Sequence, residues 1–334
     1  MQILITSPVF LPRLGGIEVM IDALARGFQN AGHGVTVATL TCEDSEPLPY
    51  PVLRCPKPVA LLGVARRSDV ILQNAASLRQ LLPILPAGRP IAIVHHNWLP
   101  DENRLLALLR DWTLRRGYNI SVSKAIAAHL PVPSKVIPLC FRGECFQNLG
   151  KHNKSYDLCC AGRFVSDKGI DLLLAALGRL AEKGIRPSLQ LAGDGPERSA
   201  LEALAEELNI SSQVHFTGRL SASQLCAAMN DSRVLVVPSR FREPGGTIAL
   251  EGAACGCYVV AADGGGMLEG LGPYGETFQR GSVDALAKSL ERLVTEGLPE
   301  RNPEREQTHL EAHSEARMVE RYLQDLHALV GRNG

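Results

Sequence analysis

Arg233–Ser239 (RVLVVPS) is an apolar run that reads as a strand buried in a parallel sheet, and it feeds directly into Glu243, Pro244 and the paired glycines Gly245 and Gly246. The glycines and Thr247 open a helix that ends at Gly256. Strand, loop and helix N-terminus therefore meet at one place. The first turn of such a helix has unpaired N–H groups and the positive end of the dipole, and glycines without Cβ let an anion come close to them. Glu243 precedes the helix and Glu251 lies about one turn inside it, so both carboxylates can border one crevice and accept hydrogen bonds from the vicinal hydroxyls of a sugar or ribose. The plainer alternative makes Glu243 a helix cap and Glu251 a solvated helix residue.

The same strand, glycine loop and helix recur along the chain, which predicts an α/β protein with parallel sheets. Ile3–Ser7 reads as a strand, Pro8–Gly16 as a loop, Ile17–Gly32 as an amphipathic helix and Val35–Leu40 as the next strand, and a right-handed crossover of this kind implies parallel pairing. Gly15 and Gly16 stand at that helix N-terminus. Pro90–Trp98 is a strand ending in His95 and His96, and because neighbouring residues face opposite ways only one of them can point into a cleft. Asp157–Arg163 starts a second series of strands, with Arg163 and Lys168 placing two cations at a strand-to-helix loop, the end at which such sheets bind ligands. With 334 residues, two domains are expected. The polar stretch Leu149–Tyr156 reads as their linker, giving domains over 1–150 and 151–310 and a helical tail over 311–334.

Glu243 and Glu251, spaced E-x7-E and followed by Ala253-Ala254-Cys255-Gly256, resemble the signature of the large retaining glycosyltransferase family 4. Gly15-Gly16-Ile17-Glu18 is similar to that family's G-G-x-E loop, and Gly162–Gly169 carries its diphosphate-binding motif G-R-F-x-x-x-K-G without alteration. The resemblance implies a GT-B fold, two Rossmann-like domains with parallel sheets facing across an interdomain cleft. It also implies retaining transfer from a nucleotide-diphosphate sugar, a UDP-sugar first and GDP-mannose next, to a glycan, a lipid-linked glycan or a small metabolite. Arg163 and Lys168 would take the diphosphate, Glu243 the transferred sugar and Glu251 the ribose. His96, with His95 beside it, would meet the donor sugar. Gly15, Gly16, Gly245, Gly246 and Thr247 would line the donor, and Arg219, after the strand Val214–Gly218, would support the nucleobase through its backbone. No metal and no cofactor are expected, and the tail would pack back on the first domain. Two departures stand out. The aromatic residue and Gly-Leu that often follow E-P in the family are replaced by Gly245, Gly246 and Thr247. Where the family has P-N-G-V-D, Pro138–Phe146 reads PLCFRGECF, so that motif's contacts do not carry over.

Other classes fit less well. The first loop is too long for a dinucleotide turn and has no G-x-G-x-x-G, which disfavours an NAD-dependent oxidoreductase. A GT-B-like epimerase or phosphorylase, or a non-catalytic sugar-nucleotide-binding protein, shares the fold, but no lysine sits in a phosphorylase-type cofactor motif. Residues 1–150 hold 15 Lys and Arg against 10 Asp and Glu, and the remainder 20 against 25; with 5% aromatic residues this mild bias does not suggest a nucleic-acid partner. The nine scattered cysteines read as buried thiols in a reducing compartment. The segment 101–117 combines leucines, Trp112 and four arginines; it reads first as a core-facing helix with a basic face in water, and the alternative is a helix lying on a membrane surface. The start MQILITSPVF has no basic leader, so the expected location is cytoplasmic, free or peripheral at the inner face of the membrane.

Overall fold

The computed structural model describes residues 1–12, 15–100 and 103–332. Two compact units form, Met1–Cys140 with Glu315–Gly334, and Phe141–Ser314. In the first, the described strands are β1 (Gln2–Ser7), β2 (Gly34–Thr39), β3 (Val52–Arg54), β4 (Val70–Asn74), β5 (Ile91–His95), β6 (Tyr118–Ser121) and β7 (Lys135–Val136). All pair in parallel, in the order β3-β2-β1-β4-β5-β6-β7, and the order reverses between β1 and β4. The connecting helices are α1 (Gly16–Asn30), α2 (Pro58–Arg67), α3 (Leu78–Ile84), α4 (Arg104–Leu114) and α5 (Lys124–His129). Strand residues alternate between two cores, as a sheet covered on both faces requires. Ile3, Ile5, Val70, Leu72, Ala92 and Val94 enter one core, and Leu4, Ile71, Ile91 and Ile93 the other.

The second unit repeats this plan with β8 (Tyr156–Ala161), β9 (Leu189–Ala192), β10 (Val214–Gly218), β11 (Ser232–Val237), β12 (Tyr258–Ala262) and β13 (Gly275–Phe278), parallel and ordered β10-β9-β8-β11-β12-β13. Its helices are α6 (Ile170–Glu182), α7 (Arg198–Glu207), α8 (Ala222–Asn230), α9 (Thr247–Ala254), α10 (Met267–Leu271), α11 (Val283–Thr295) and α12 (Pro303–Ala312). Both units are Rossmann-like α/β domains. The last helix, α13 (Glu315–Gly331), returns to the first unit, where Met318, Tyr322 and Leu326 join Leu24 and Phe28 in the core.

Three expectations need correction. The sequence predicts a boundary near residue 150, but Phe141 and Phe146 are buried in the core of the second unit beside Leu250 and Cys255. The predicted linker is likewise tied to that unit, through Leu149 N–H on Asn230 Oδ1 at 2.7 Å and Lys154 Nζ on the Ser232 carbonyl at 2.9 Å. Second, not all cysteines are thiols. The register that places Thr39 opposite Arg54 brings the exposed Cys42 and Cys55 together at the ends of β2 and β3, where they form a disulfide with Cα atoms 5.4 Å apart. Third, α4 is turned the other way from a core-facing helix. Leu105 is 75% exposed and Leu108 60%, with Leu106 and Trp112 also in solvent, whereas Arg110 and Thr113 are buried. The inward side chains reach nearby carbonyls: an Arg110 Nη donates to the Pro100 carbonyl at 3.2 Å and the Thr113 hydroxyl to the Arg110 carbonyl at 2.6 Å. Asp101 and Glu102, also in that predicted segment, lie outside the described residues.

Leu326 is fully buried in the core that α13 completes. Leu326→Ala should therefore cost the first unit about 2–5 kcal/mol of stability, read from its urea unfolding transition. A loss below about 1 kcal/mol would mean that the tail is not part of that fold.

Candidate active site

Three neighbouring strands, β8, β11 and β12, end beside one another, and the loops that leave their carboxyl ends lock together through backbone contacts. Gly169 closes the first loop with φ of +63°, and a Cβ there would fall 2.2 Å from the Pro238 carbonyl oxygen. The N–H of Arg240 donates to the Asp167 carbonyl at 2.8 Å, fastening the β8 loop to the β11 loop. On the other side, the N–H of Gly266 donates to the Glu243 carbonyl at 2.8 Å, and Gly265, with φ of +67°, approaches that same carbonyl too closely to bear a side chain. Glu243 is thus held from both sides.

The side chains follow from this frame. Lys168 Nζ lies 2.7 Å from Glu243 Oε1, and the Ser239 hydroxyl donates to the same oxygen at 2.9 Å. Arg163, at the exit of β8, is exposed, and its guanidinium has no partner among the described residues. Gly246 caps α9 without any side-chain hydrogen bond, so the first N–H groups of that helix are left for another acceptor. A Cβ on Gly246 would come within 2.7 Å of Gly270 Cα, so α9 and α10 meet backbone to backbone.

Glu251, one turn inside α9, is 8% exposed. Its side chain is reached by Arg142, with Nη2 at 3.4 Å from Oε1. Burial pushes the carboxyl up to about 7, against the pull of the Arg142 charge. The solvated-helix reading of Glu251 is therefore wrong for this chain. Arg219 lies exposed at the end of edge strand β10, two strands away from β8.

The other predicted residues belong to the first unit. Gly15 has an extended backbone and caps α1, and Gly16 begins that helix. Glu18 folds back over the helix start, since a Cβ on Gly15 would lie 2.5 Å from its Oε2. The two histidines at the end of β5 differ in kind. His95 Nε2 bonds Asn119 Oδ1 at 2.9 Å, and the Asn119 amide bonds the carbonyls of Leu114 and Gly117, so that ring serves the interior. His96 is buried, its Nε2 has no hydrogen-bond partner among the described residues, and burial with the adjacent His95 pushes it down to about 3. It is a neutral imidazole with a nitrogen to spare. Sequence reasoning missed the polar set at the ends of β1 and β4, where Asn74 Nδ2 donates to Ser7 Oγ at 3.0 Å and Gln80 Nε2 to the Ser7 carbonyl at 3.0 Å. Strand polarity at Thr6, Ser7, Gln73 and Asn74 is its only signal in the sequence.

Residues 141–309 match the family described as glycosyl transferases, group 1. This chain belongs to that family. Its relatives include the phosphatidylinositol N-acetylglucosaminyltransferase gpi3 subunit of Schizosaccharomyces pombe, 31% identical over 50% of this chain and 37% of that protein. The MMP alpha-(1->4)-mannosyltransferase of Mycolicibacterium hassiacum is 30% identical over 68% of this chain and 62% of its own length. The chain thus spans between about a third and two thirds of these relatives. Among solved structures, Anabaena HepE in complex with UDP superposes with a TM-score of 0.78 at 19% identity, covering 98% of this chain and 100% of that one. That likeness concerns fold, and the fold is GT-B.

Because the folded protein holds the Glu251 proton more tightly than the unfolded chain, stability falls as pH rises from about 4.5 to about 7. Glu251→Gln removes that slope. With no nucleotide added, the variant should exceed wild type by about 1–3 kcal/mol in urea unfolding at pH 8 and show no advantage at pH 5. A wild-type protein that gains stability relative to Glu251→Gln across this window would contradict the burial of an ionised carboxylate.

Proposed function

We propose that this chain transfers a sugar, with retention of configuration, from a nucleotide-diphosphate sugar to a hydroxyl acceptor. The observation that carries this reading is the set of Arg163, Lys168, Glu243 and the open N-terminus of α9 at one strand edge. In the reaction the bond between the anomeric carbon and the phosphate oxygen breaks, the acceptor oxygen takes its place, and the acceptor's proton leaves with the departing diphosphate. Negative charge then grows on the diphosphate. Arg163, Lys168 and the N–H groups from Gly246 and Thr247 supply a fixed positive field for it without solvent reorganisation. Glu243, competing with its own ion pair, accepts hydrogen bonds from the transferred sugar, and Glu251 accepts those of the ribose diol. In the first unit, neutral His96 offers its unpartnered Nε2 to the donor sugar, with Gly15 and Gly16 at the start of α1 and His95 holding the strand end. Arg219 supports the nucleobase through its backbone. Neither a metal ion nor a cofactor enters this scheme.

A UDP-sugar is the favoured donor, supported by the UDP held by Anabaena HepE, and GDP-mannose comes next, supported by the mannosyltransferase among the relatives. A glycan, a lipid-linked glycan or a small metabolite is the acceptor. We place the reaction at the cytoplasmic face of a membrane, with α4 as the point of contact. No described helix is long and apolar enough to cross a bilayer, but Leu105, Leu106, Leu108 and Trp112 form an exposed apolar patch. The Arg116 guanidinium covers the Trp112 ring at 3.7 Å, and Arg104 and Arg115 are exposed beside it, a combination suited to an anionic leaflet.

Thermal shift against UDP, GDP, ADP and NAD tests the donor assignment, since a ligand at about 100 times its Kd adds about 2.7 kcal/mol to folding. UDP or GDP should raise the Tm of wild type, and Arg163→Ala and Lys168→Ala should lose most of that rise and at least about 100-fold in transfer rate. Excess EDTA should leave transfer intact. A rise with NAD alone would overturn the reading. For the membrane contact, wild type should cosediment with vesicles of phosphatidylglycerol and phosphatidylcholine in low salt, and Leu105→Glu/Leu108→Glu should stay in solution. Equal sedimentation of the two would dismiss α4 as the contact.

A further inference from the structure

The segment PLCFRGECF, which departs from the family pattern, forms a tight turn whose purpose is visible in its contacts. The N–H groups of Cys145 and Phe146 both donate to the Arg142 carbonyl, at 3.0 and 2.9 Å. Phe141 and Phe146 on either side are buried in the core that also holds Leu250, Ala254 and Cys255 of α9 and its C-terminal cap. The turn is therefore nailed to the same helix that carries Glu251. Its arginine emerges between the two anchors, with the guanidinium carbon 5.1 Å above the Phe146 ring and Nη2 on Glu251 Oε1.

Among the described residues, Arg142 is the hydrogen-bond partner of the Glu251 side chain and the charged group whose field acts on it. The titratable neighbours beyond the end of α9 are thiols and two cations, Lys154 and Arg301, which donate to the Gly256 carbonyl at 3.3 and 3.0 Å. Cys255 sits one turn further along, with its Sγ 3.7 Å from Cys226 Sγ of α8, and Cys257 follows at the start of β12. Burial pushes Cys255 and Cys257 up, so both stay uncharged near neutral pH. A protonated Glu251 would be a donor and a single good acceptor, whereas a ribose diol offers two O–H groups and needs two acceptor oxygens.

We propose that Arg142 is a positioning residue for the donor: it holds Glu251 as a carboxylate within its buried setting and so sets the pH range over which a nucleoside diphosphate binds. This rests on the reading of Glu251 as the ribose acceptor. Arg142 does not touch the nucleotide in this scheme.

Isothermal titration of UDP, or of GDP where the thermal panel selects it, into the whole chain between pH 6.5 and 9 tests the proposal. Affinities are taken as ratios to wild type at the same pH, which cancels the titration of the ligand. Arg142→Ala should bind about tenfold more weakly at pH 6.5 and within about twofold of wild type at pH 9, the pattern of a carboxyl raised further once the guanidinium is gone. Arg142→Lys should restore most of the loss. Arg142→Gln, which keeps much of the side-chain length, should follow the alanine variant and guards against a folding defect in it. A ratio that stays constant with pH would overturn the proposal, whether the constant is one or far below one. Glu251→Gln separates the two levels: weakened binding at every pH supports the ribose reading, and unchanged binding removes that reading and the role of Arg142 with it.

Discussion

The contact between Gly169 and the Pro238 carbonyl allows no side chain on the glycine and almost no slack in either loop. Everything the second unit brings to its strand edge depends on that approach. Lys168 is the residue before the glycine, and Glu243 lies five residues beyond Pro238, so a shift of the backbones by the width of a methyl group would separate the 2.7 Å pair. The Gly264–Gly266 turn adds the same kind of restraint from β12, by binding the Glu243 carbonyl. Backbone contacts of this sort have far fewer soft torsions than contacts between long side chains. They place a lysine and a glutamate with a precision that the side chains themselves would not supply.

Much of this arrangement is legible in the amino-acid sequence, and the reason is local. Buried parallel strands are continuous apolar runs, and glycines at their ends mark turns with positive φ or close approach, so the succession of strand, glycine loop and helix is readable for β1, β8, β11 and β12. The motif around Arg163 and Lys168 and the pair Glu243 and Glu251 stand out for the same reason. What is not legible depends on partners distant in sequence. Cys42 and Cys55 become a disulfide because of a register between β2 and β3 that no single stretch encodes. Leu149–Tyr156 reads as a polar connector, yet its backbone and Lys154 bond to the second unit, and the preceding Phe141 and Phe146 are buried there. Helix α4 has the leucine pattern of a core helix, and nothing in that pattern says which side faces water. Arg110 and Thr113, each with a carbonyl to bind, and Leu114, buried in the core, decide it.

The two glutamates occupy different electrostatic settings although they lie on one loop and helix. Glu243 is satisfied by a lysine and a serine at the margin of the unit, where water can reach it. Glu251 sits deeper, and its arginine is longer-range at 3.4 Å. Burial therefore wins at Glu251, and the fold tolerates a carboxyl that would be more comfortable protonated. Such a group destabilises the protein by an amount that a well-matched ligand can return, because two O–H donors solvate the anion that the interior does not.

Under the proposed donor scheme, that asymmetry bears on which parts of a ligand each carboxylate tells apart. At Glu243 an incoming hydroxyl must compete with Lys168 and Ser239 for the same oxygen, so the net gain from any one sugar hydroxyl is small, and discrimination has to come from geometry. At Glu251 the competitor is one distant guanidinium, and an unpaired buried carboxylate is the alternative. A ligand lacking the diol would leave that alternative in place and be rejected strongly, as sites built around buried polar groups generally reject analogues without the matching group. In the proposed scheme, the part of the donor common to every nucleotide is thus read by the strict site, and the variable sugar by the permissive one.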